Sequence, residues 1–125
     1  MIRVAAGIIL NDVGDVLISQ RRQGTHEAGA WEFPGGKIEN HEEPAVALAR
    51  ELQEELGINV LKAAELIAYE HSYADRIVSL KFFKIQQFKG IPSGREGQLL
   101  QWVKPENLLR AGLLPADQPV VELLV

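Results

Sequence analysis

The sequence predicts an α+β fold, with helix and strand in irregular order, on three observations. One amphipathic stretch is bounded at both ends by residues that start and stop helices. Several short runs rich in Val, Ile, Leu and aromatic residues read as strands. These elements neither alternate strictly nor segregate into blocks, which leaves mixed α and β as the class. The chain has 125 residues, within the size of one domain, so residues 1–125 are expected to form a single domain.

From the N-terminus, Ile2 to Leu10 is rich in Val, Ala and Ile, and the polar run Asn11-Asp12-Val13-Gly14-Asp15 separates it from Val16-Leu17-Ile18-Ser19-Gln20. Two strands joined by a turn are expected there. Arg21 and Arg22 follow the second strand, where a guanidinium offers bidentate geometry to phosphate or to a base. Gln23 to Ala30 reads as a loop over the site, with His26 solvated or structural. In Trp31-Glu32-Phe33-Pro34-Gly35-Gly36-Lys37 two aromatic residues lead into a Pro-Gly-Gly turn, where glycine permits positive φ and close approach of backbone to a ligand.

Pro44, with fixed φ and no N–H, suits a first helical position, and Gly57 suits a stop, so the helix is predicted over Pro44 to Leu56. At about 100° per residue, Ala45, Leu48, Ala49, Leu52 and Leu56 share one stripe, and Glu51, Glu54 and Glu55 share a second, roughly 120° away. Like charges at this spacing oppose a helix by about 0.2–0.5 kcal/mol per pair. Only Arg50 is near enough to relieve them, which implies a missing cation. Hard ions such as Mg²⁺ take oxygen ligands and bind through one or two carboxylates plus substrate phosphates.

After the helix, Asn59 to Ala68 and Arg76 to Phe88 read as two longer strands about a turn near Ser72-Tyr73-Ala74-Asp75. The imperfect alternation of Ile77 to Ile85 fits a strand covered on both faces along part of its length. Lys89 to Gln98 is a polar, Gly-rich loop ahead of the strand Leu99 to Val103, and long polar loops in compact domains are often functional. Lys104-Pro105 opens a short helix to Leu109, and Val120 to Leu124 reads as a last helix.

Gly36, five residues, Glu42, seven residues, and then Arg50-Glu51-Leu52-Gln53-Glu54-Glu55-Leu56-Gly57-Ile58 match the signature box of the Nudix hydrolases at every defined position. The chain resembles the MutT-type branch of that family over nearly its whole length. Glu32 to Lys37, Asp75-Arg76, Glu96-Gly97-Gln98, Trp102 and Pro115-Ala116-Asp117-Gln118-Pro119 all have counterparts in order. The resemblance implies the Nudix fold, an α/β/α sandwich with a central mixed β-sheet. It also implies a loop-helix-loop that binds Mg²⁺ or Mn²⁺. By the same resemblance the metal ligands are the Gly35 carbonyl, Glu51, Glu54, Glu55 and Glu96. Glu51, Glu54 and Arg50 form the catalytic set, with Glu51 orienting or deprotonating water and Arg50 holding Glu51 by an ion pair. Glu42 is an auxiliary acid, and Arg21, Phe33, Tyr73, Arg76 and Asp117 are substrate-binding.

The activity implied is hydrolysis of a nucleoside triphosphate to monophosphate and pyrophosphate by water attack at the β phosphorus, with 8-oxo-dGTP as the leading substrate. Asp117 departs from the asparagine of the MutT-type pattern. An amide accepts from the N7–H of the oxidised guanine while donating to O6, whereas a carboxylate only accepts unless protonated. Asp117 therefore opens the alternative of CTP or modified dCTP, whose N4–H₂ a carboxylate accepts. Burial that raised the Asp117 pKa would serve 8-oxoguanine again. Two further alternatives are a Nudix hydrolase of ADP-ribose or dinucleoside polyphosphates, and a non-catalytic nucleotide-binding module. Such modules typically lose box acids, and this chain keeps them.

Hydrophobic residues make up 46% of the chain and the formal net charge is −4. That balance gives a core and argues against a nucleic-acid polymer or an anionic membrane as partner. With no cysteine, neither a disulfide framework nor a thiolate zinc site is available. No apolar run approaches the roughly 18 residues of a membrane span, and the N-terminus lacks a signal-peptide pattern. The expectation is a soluble, cytoplasmic protein, monomer or homodimer, whose partner is a nucleoside triphosphate.

Overall fold

The computed structural model describes all of residues 1–125. Its centre is a pair of strands with apolar side chains on both faces, β1 (Ile2–Ile9) and β6 (Arg76–Lys89). In β1, Ala6 and Ile8 face one core cluster and Ala5 and Ile9 the other; in β6, Val78, Leu80 and Phe82 face the first and Phe83 and Ile85 the second. Both faces are covered, which is why neither sequence alternates cleanly.

β1 and β6 pair in parallel, from Ile2 opposite Val78 to Ile9 opposite Ile85. β4 (Gly35–Lys37) lies antiparallel outside β1, and β5 (Asn59–Tyr73) lies antiparallel outside β6, so the order is β4-β1-β6-β5. This is the central mixed sheet that the family resemblance implies. A second, antiparallel sheet sets β2 (Val16–Gln20) between β3 (Trp31–Glu32) and β7 (Leu100–Val103). The turn after β1 therefore does not close a hairpin. Only an isolated bridge, Leu10 to Val16, joins β1 to β2, and the chain changes sheets there.

α1 (Pro44–Leu56) has the predicted limits. Pro44 occupies the first turn, no side chain caps the N-terminus, and Gly57 closes the helix in the left-handed region at φ 73°, its N–H donating to Gln53 O. The buried face is Ala47, Leu48, Leu52 and Leu56, with Ala47 in place of the expected Ala45, which is exposed. Each fully buried leucine stabilises the fold by about 1.5–3 kcal/mol, enough to override the acid repulsion on the neighbouring stripe.

The opposite layer is thinner than the sequence predicts. The helices expected at Lys104 to Leu109 and Val120 to Leu124 are 3₁₀ segments, Pro105–Arg110 and Pro119–Leu123, with a third, Pro115–Asp117, between them. A proline opens each one, and its missing N–H and ring limit propagation from one segment into the next. Leu108, Ala116, Val120 and Val121 from these segments, with Leu113 beside them, close the first cluster.

Three further details differ from expectation. β5 runs on to Tyr73, five residues beyond the predicted end at Ala68, and turns into β6 through Ala74 and Asp75 alone. β4 is a strand in place of the expected Pro-Gly-Gly turn, and Trp31–Glu32 just before it forms the short strand β3. Gly35 and Gly36 sit inside β4, and neither has positive φ. What requires glycine is space: a Cβ on Gly35 would stand 2.1 Å from Ala5 O, and one on Gly36 would stand 2.3 Å from Glu51 Cδ. No helix is long and apolar enough to cross a membrane.

Candidate active site

α1 and β4 together position the acids. Arg50 is their hub: its Nε and Nη2 donate to Glu42 at 2.9 and 3.0 Å, its Nη1 to Glu51 Oε1 at 2.9 Å, and Nη2 also to Lys37 O at 3.2 Å. Glu42 thus receives the bidentate grip and Glu51 a single bond. The Arg50 hydrogen bonds, with the Glu39 N–H, hold the Glu42 carboxyl down at about 2. The remaining Glu51 oxygen lies against the backbone of Gly36, where a Cβ would stand 2.5 Å from Oε2.

Glu55, one turn on from Glu51, has no such cation. Burial, then the charges of Glu51, Glu32 and Glu96, push its carboxyl up to about 9. A site whose acids drive one another toward protonation is short of positive charge. All the donors are oxygens, which suits a hard divalent ion. No group of three acidic or histidine side chains converges closely enough to hold an ion unaided. The chain therefore fits an ion held by one or two carboxylates, Glu51 and Glu55, beside the Gly35–Gly36 backbone, with substrate oxygens and water completing the shell.

Two clefts meet at this point. The larger, about 270 Å³, is half apolar: Val4, Ala6, Val78, Leu80, Leu114 and Ala116 line it beside Arg21, Tyr73, Arg76 and Asp117. The smaller, about 150 Å³, has no hydrophobic lining and is formed by Ser19 to Arg22, Thr25, Glu32, Glu55, Glu96 and Gln98. Arg21, Glu32 and Glu55 line both. Arg21 Nη1 donates to Glu32 Oε1 at 2.9 Å, and this ion pair stands at the junction.

Asp117, 4% exposed, lies in the wall of the larger cleft. Its Oδ2 accepts the Phe33 N–H at 2.9 Å. Burial pushes its carboxyl up to about 7, Glu32 adds to the rise, and the Phe33 N–H and Arg21 oppose it. One oxygen is engaged by Phe33, which leaves the other free, an acceptor when ionised and a donor when protonated.

The structure brings most of the predicted residues together. Arg21, Phe33, Gly35, Glu55, Tyr73, Arg76 and Asp117 line the larger cleft, and Glu96 lines the smaller. Glu51 and Arg50 stand beside them on α1. Glu54 lines neither cleft; its side chain is 56% exposed, with Arg50 Nη1 3.7 Å from its Oε2.

Two residues escaped the sequence reading. His26, expected to be solvated or structural, lines the larger cleft; its ring packs edge-on against Tyr73 at 4.7 Å, and its buried Nε2 makes no hydrogen bond, with Glu27 Oε1 4.0 Å away. Glu32, to which the sequence assigns no role, lines both clefts and binds Arg21. Neither carried a local signal, because each acquires its meaning from contacts distant in sequence.

The chain is similar to known proteins over nearly its whole length. The NUDIX domain family matches residues 1–124. An 8-oxo-dGTP diphosphatase of Haemophilus influenzae is 39% identical over 100% of this chain and 92% of that protein. A CTP pyrophosphohydrolase of Escherichia coli is 40% identical over 98% of this chain and 90% of that one. A solved MutT structure, from work on Aliivibrio salmonicida and Vibrio cholerae, superposes with TM-score 0.84 at 36% identity, covering 98% of this chain and 95% of that one. With the signature-box acids Glu51, Glu54 and Glu55 on α1, Gly36 on β4 and Glu42 between the two, and with the family matched over residues 1–124, the chain belongs to the NUDIX hydrolase family.

Proposed function

We propose that this enzyme hydrolyses a nucleoside triphosphate to monophosphate and pyrophosphate, with 8-oxo-dGTP as substrate, and so cleans the nucleotide pool of the cytoplasm of an oxidised precursor. One observation carries the reading: the half-apolar cleft and the wholly polar one share Arg21, Glu32 and Glu55. A base seated beside Asp117 in the first directs its phosphates past that junction toward the acids of α1. The names of the relatives, 8-oxo-dGTP diphosphatase and CTP pyrophosphohydrolase, support this substrate class.

Members of the family depend on a divalent metal; here Mg²⁺ is proposed, with Mn²⁺ as its substitute, held by Glu51, Glu55 and the Gly35 carbonyl, with Glu96 from the loop side and Glu54 outermost. When bound, such an ion neutralises phosphate charge and lowers the pKa of water. The chain's own part is positioning and proton transfer. Arg50 fixes Glu51 through Oε1, leaving the oxygen beside Gly36 to orient a water and take its proton. Water oxygen bonds to the β phosphorus as the bridging bond to the α phosphate breaks, and the monophosphate leaves. Arg21 and Arg76 present guanidinium groups to the nucleotide in the larger cleft. One domain over residues 1–125 carries all of this.

A second reading, CTP or a modified dCTP, is favoured by Asp117 itself, since its ionised free oxygen accepts from cytosine N4–H₂. Pyrophosphate release from 8-oxo-dGTP, dGTP, CTP and 5-methyl-dCTP, with Mg²⁺ and with EDTA, separates the two. A kcat/KM led by 8-oxo-dGTP supports the main reading, and one led by the cytosine nucleotides replaces it. Hydrolysis of none of the four refutes both.

A further inference from the structure

Asp117 belongs to a 3₁₀ segment of only three residues, too short to hold a side chain in place by its own backbone bonds. Something outside the segment must do so. The peptide of Ala116, immediately before Asp117, is gripped on both of its polar groups by side chains of one strand. Tyr69 donates its hydroxyl to Ala116 O at 2.6 Å, and the Tyr73 hydroxyl accepts the Ala116 N–H at 3.4 Å. Tyr69 and Tyr73 lie four residues apart on β5, so they share a face.

The grip is braced from behind. The Tyr69 ring stacks on Phe82 at 5.5 Å and 27°, and Phe82 meets Phe33 edge-on at 6.0 Å. The Phe33 N–H in turn donates to Asp117 Oδ2 at 2.9 Å. The circuit therefore closes: Asp117, Phe33, Phe82, Tyr69, Ala116 and back to Asp117, with a hydrogen bond at each end and three rings between. Burial, and the charge of Asp117, raise Tyr69 above the ordinary phenol range, so its hydroxyl keeps its proton and remains a donor.

We infer that Tyr69 and Tyr73 are positioning residues for base selection: their hydroxyls fix the Ala116 peptide and thereby the direction in which the free oxygen of Asp117 meets the base. The inference rests on the reading of Asp117 as the residue that meets the base, and it deepens that reading by assigning selectivity to two hydroxyls on another strand. Removing the Tyr69 hydroxyl leaves Ala116 O without its donor and lets the segment turn, so competing bases find a partner at Asp117 that the native geometry denies them.

The test uses Tyr69→Phe, which keeps the ring stack and deletes only the hydroxyl, and Tyr73→Phe alongside it. Two quantities are read. The first is amide hydrogen exchange at Phe33 and Asp117, measured on the protein without substrate. Tyr69→Phe is expected to raise it about fivefold or more, the factor that loss of one hydrogen bond of ~1 kcal/mol allows, while β1 and β6 exchange as in the native chain. The second is the ratio of kcat/KM between the best and second-best bases among the four nucleotides above, expected to fall by a similar factor. A loss of stability alone lowers all substrates together and leaves that ratio intact. Unchanged exchange at Phe33 and Asp117 overturns the clamp whether or not the protein turns over any nucleotide. Faster exchange with an unchanged base ratio overturns the assignment to selectivity. Failure of the native chain on all four nucleotides counts against the proposed substrate class, and exchange still decides the clamp.

Discussion

The acid-bearing helix and the cleft around Asp117, which meet at Glu55, are built on different principles. The acidic side is local: Arg50, Glu51, Glu54 and Glu55 are neighbours on one helix, and the residues that order them, Gly36 and Glu42, lie within fifteen positions of Arg50. The base side is assembled from afar, with the Phe33 N–H and the Asp117 carboxylate 84 residues apart in sequence. The acidic side therefore depends on charge balance, and the base side on the accuracy with which a proline-punctuated segment is held against the sheet. Substitutions on the two sides should fail in different ways.

The largest difference should appear in stability against pH. Asp117 ionises near 3.8 when unfolded and near 7 when folded. Between about pH 4 and 7 the folded chain keeps a proton that the unfolded chain has lost, so stability falls as pH rises through that window and is flat in this group above it. The shift corresponds to something on the order of 4 kcal/mol. Urea unfolding of the native chain and of Asp117→Asn from pH 4 to 8 should show the variant gaining relative to the native chain as pH rises. Parallel curves would mean that Asp117 is not buried as an acid.

Next comes Glu55→Gln, expected to reduce metal-dependent turnover by about 100–1000-fold, the scale of losing one group that acts on developing charge. Its melting temperature should hold or rise, because a carboxyl raised by burial and like charge is removed. Full turnover in this variant would take Glu55 out of the site. The adjacent glycines sharpen the contrast further. Gly35→Ala forces a Cβ against the immobile backbone of β1 and should cost about 3 kcal/mol of stability. Gly36→Ala meets the far end of the Glu51 side chain, which yields, so it should fold and lose about 10–100-fold in kcat by displacing that carboxylate. Equal melting temperatures for the two variants would show that the distinction is wrong.

The smallest expected effect is on the base side. Asp117→Asn, assayed on the same four nucleotides, should move preference toward 8-oxo-dGTP relative to CTP by about tenfold, within the 1–3 kcal/mol of a good base contact. An unchanged order of substrates would mean that the free oxygen of Asp117 does not meet the base.

How much of this was legible in the sequence follows the same division. α1 was placed to the residue at both ends because its signals, Pro44 and Gly57, act within one turn. The acid cluster was legible as a charge anomaly before any family was considered. β3 and β4 were not, because strands of two and three residues carry no periodicity, and their pairing with β2 and β1 is a long-range fact. Pro34-Gly35-Gly36 read as a turn because glycine is usually there for its dihedral freedom, whereas here it makes room for a neighbouring chain and a carboxylate. The terminal helices became 3₁₀ segments because the prolines that start them also limit them. Asp117 stood out only through the family resemblance; its neighbours Glu32 and His26 carried no local mark at all.

The loop from Gly90 to Gln98 contains no regular structure, yet it closes the end of α1. The Ser93 N–H donates to Leu56 O, the Arg95 N–H and the Gln98 side chain both to Glu55 O, and the Arg95 guanidinium to Gln53 O. To a protease this glycine-containing stretch with an arginine in it is a poor target. Cleavage requires the backbone to be drawn out into an extended strand, and here that means first pulling four donors off the last turn of a helix. Resistance of the Arg95 peptide bond to trypsin is thus a measure of how firmly the acid-bearing helix is finished.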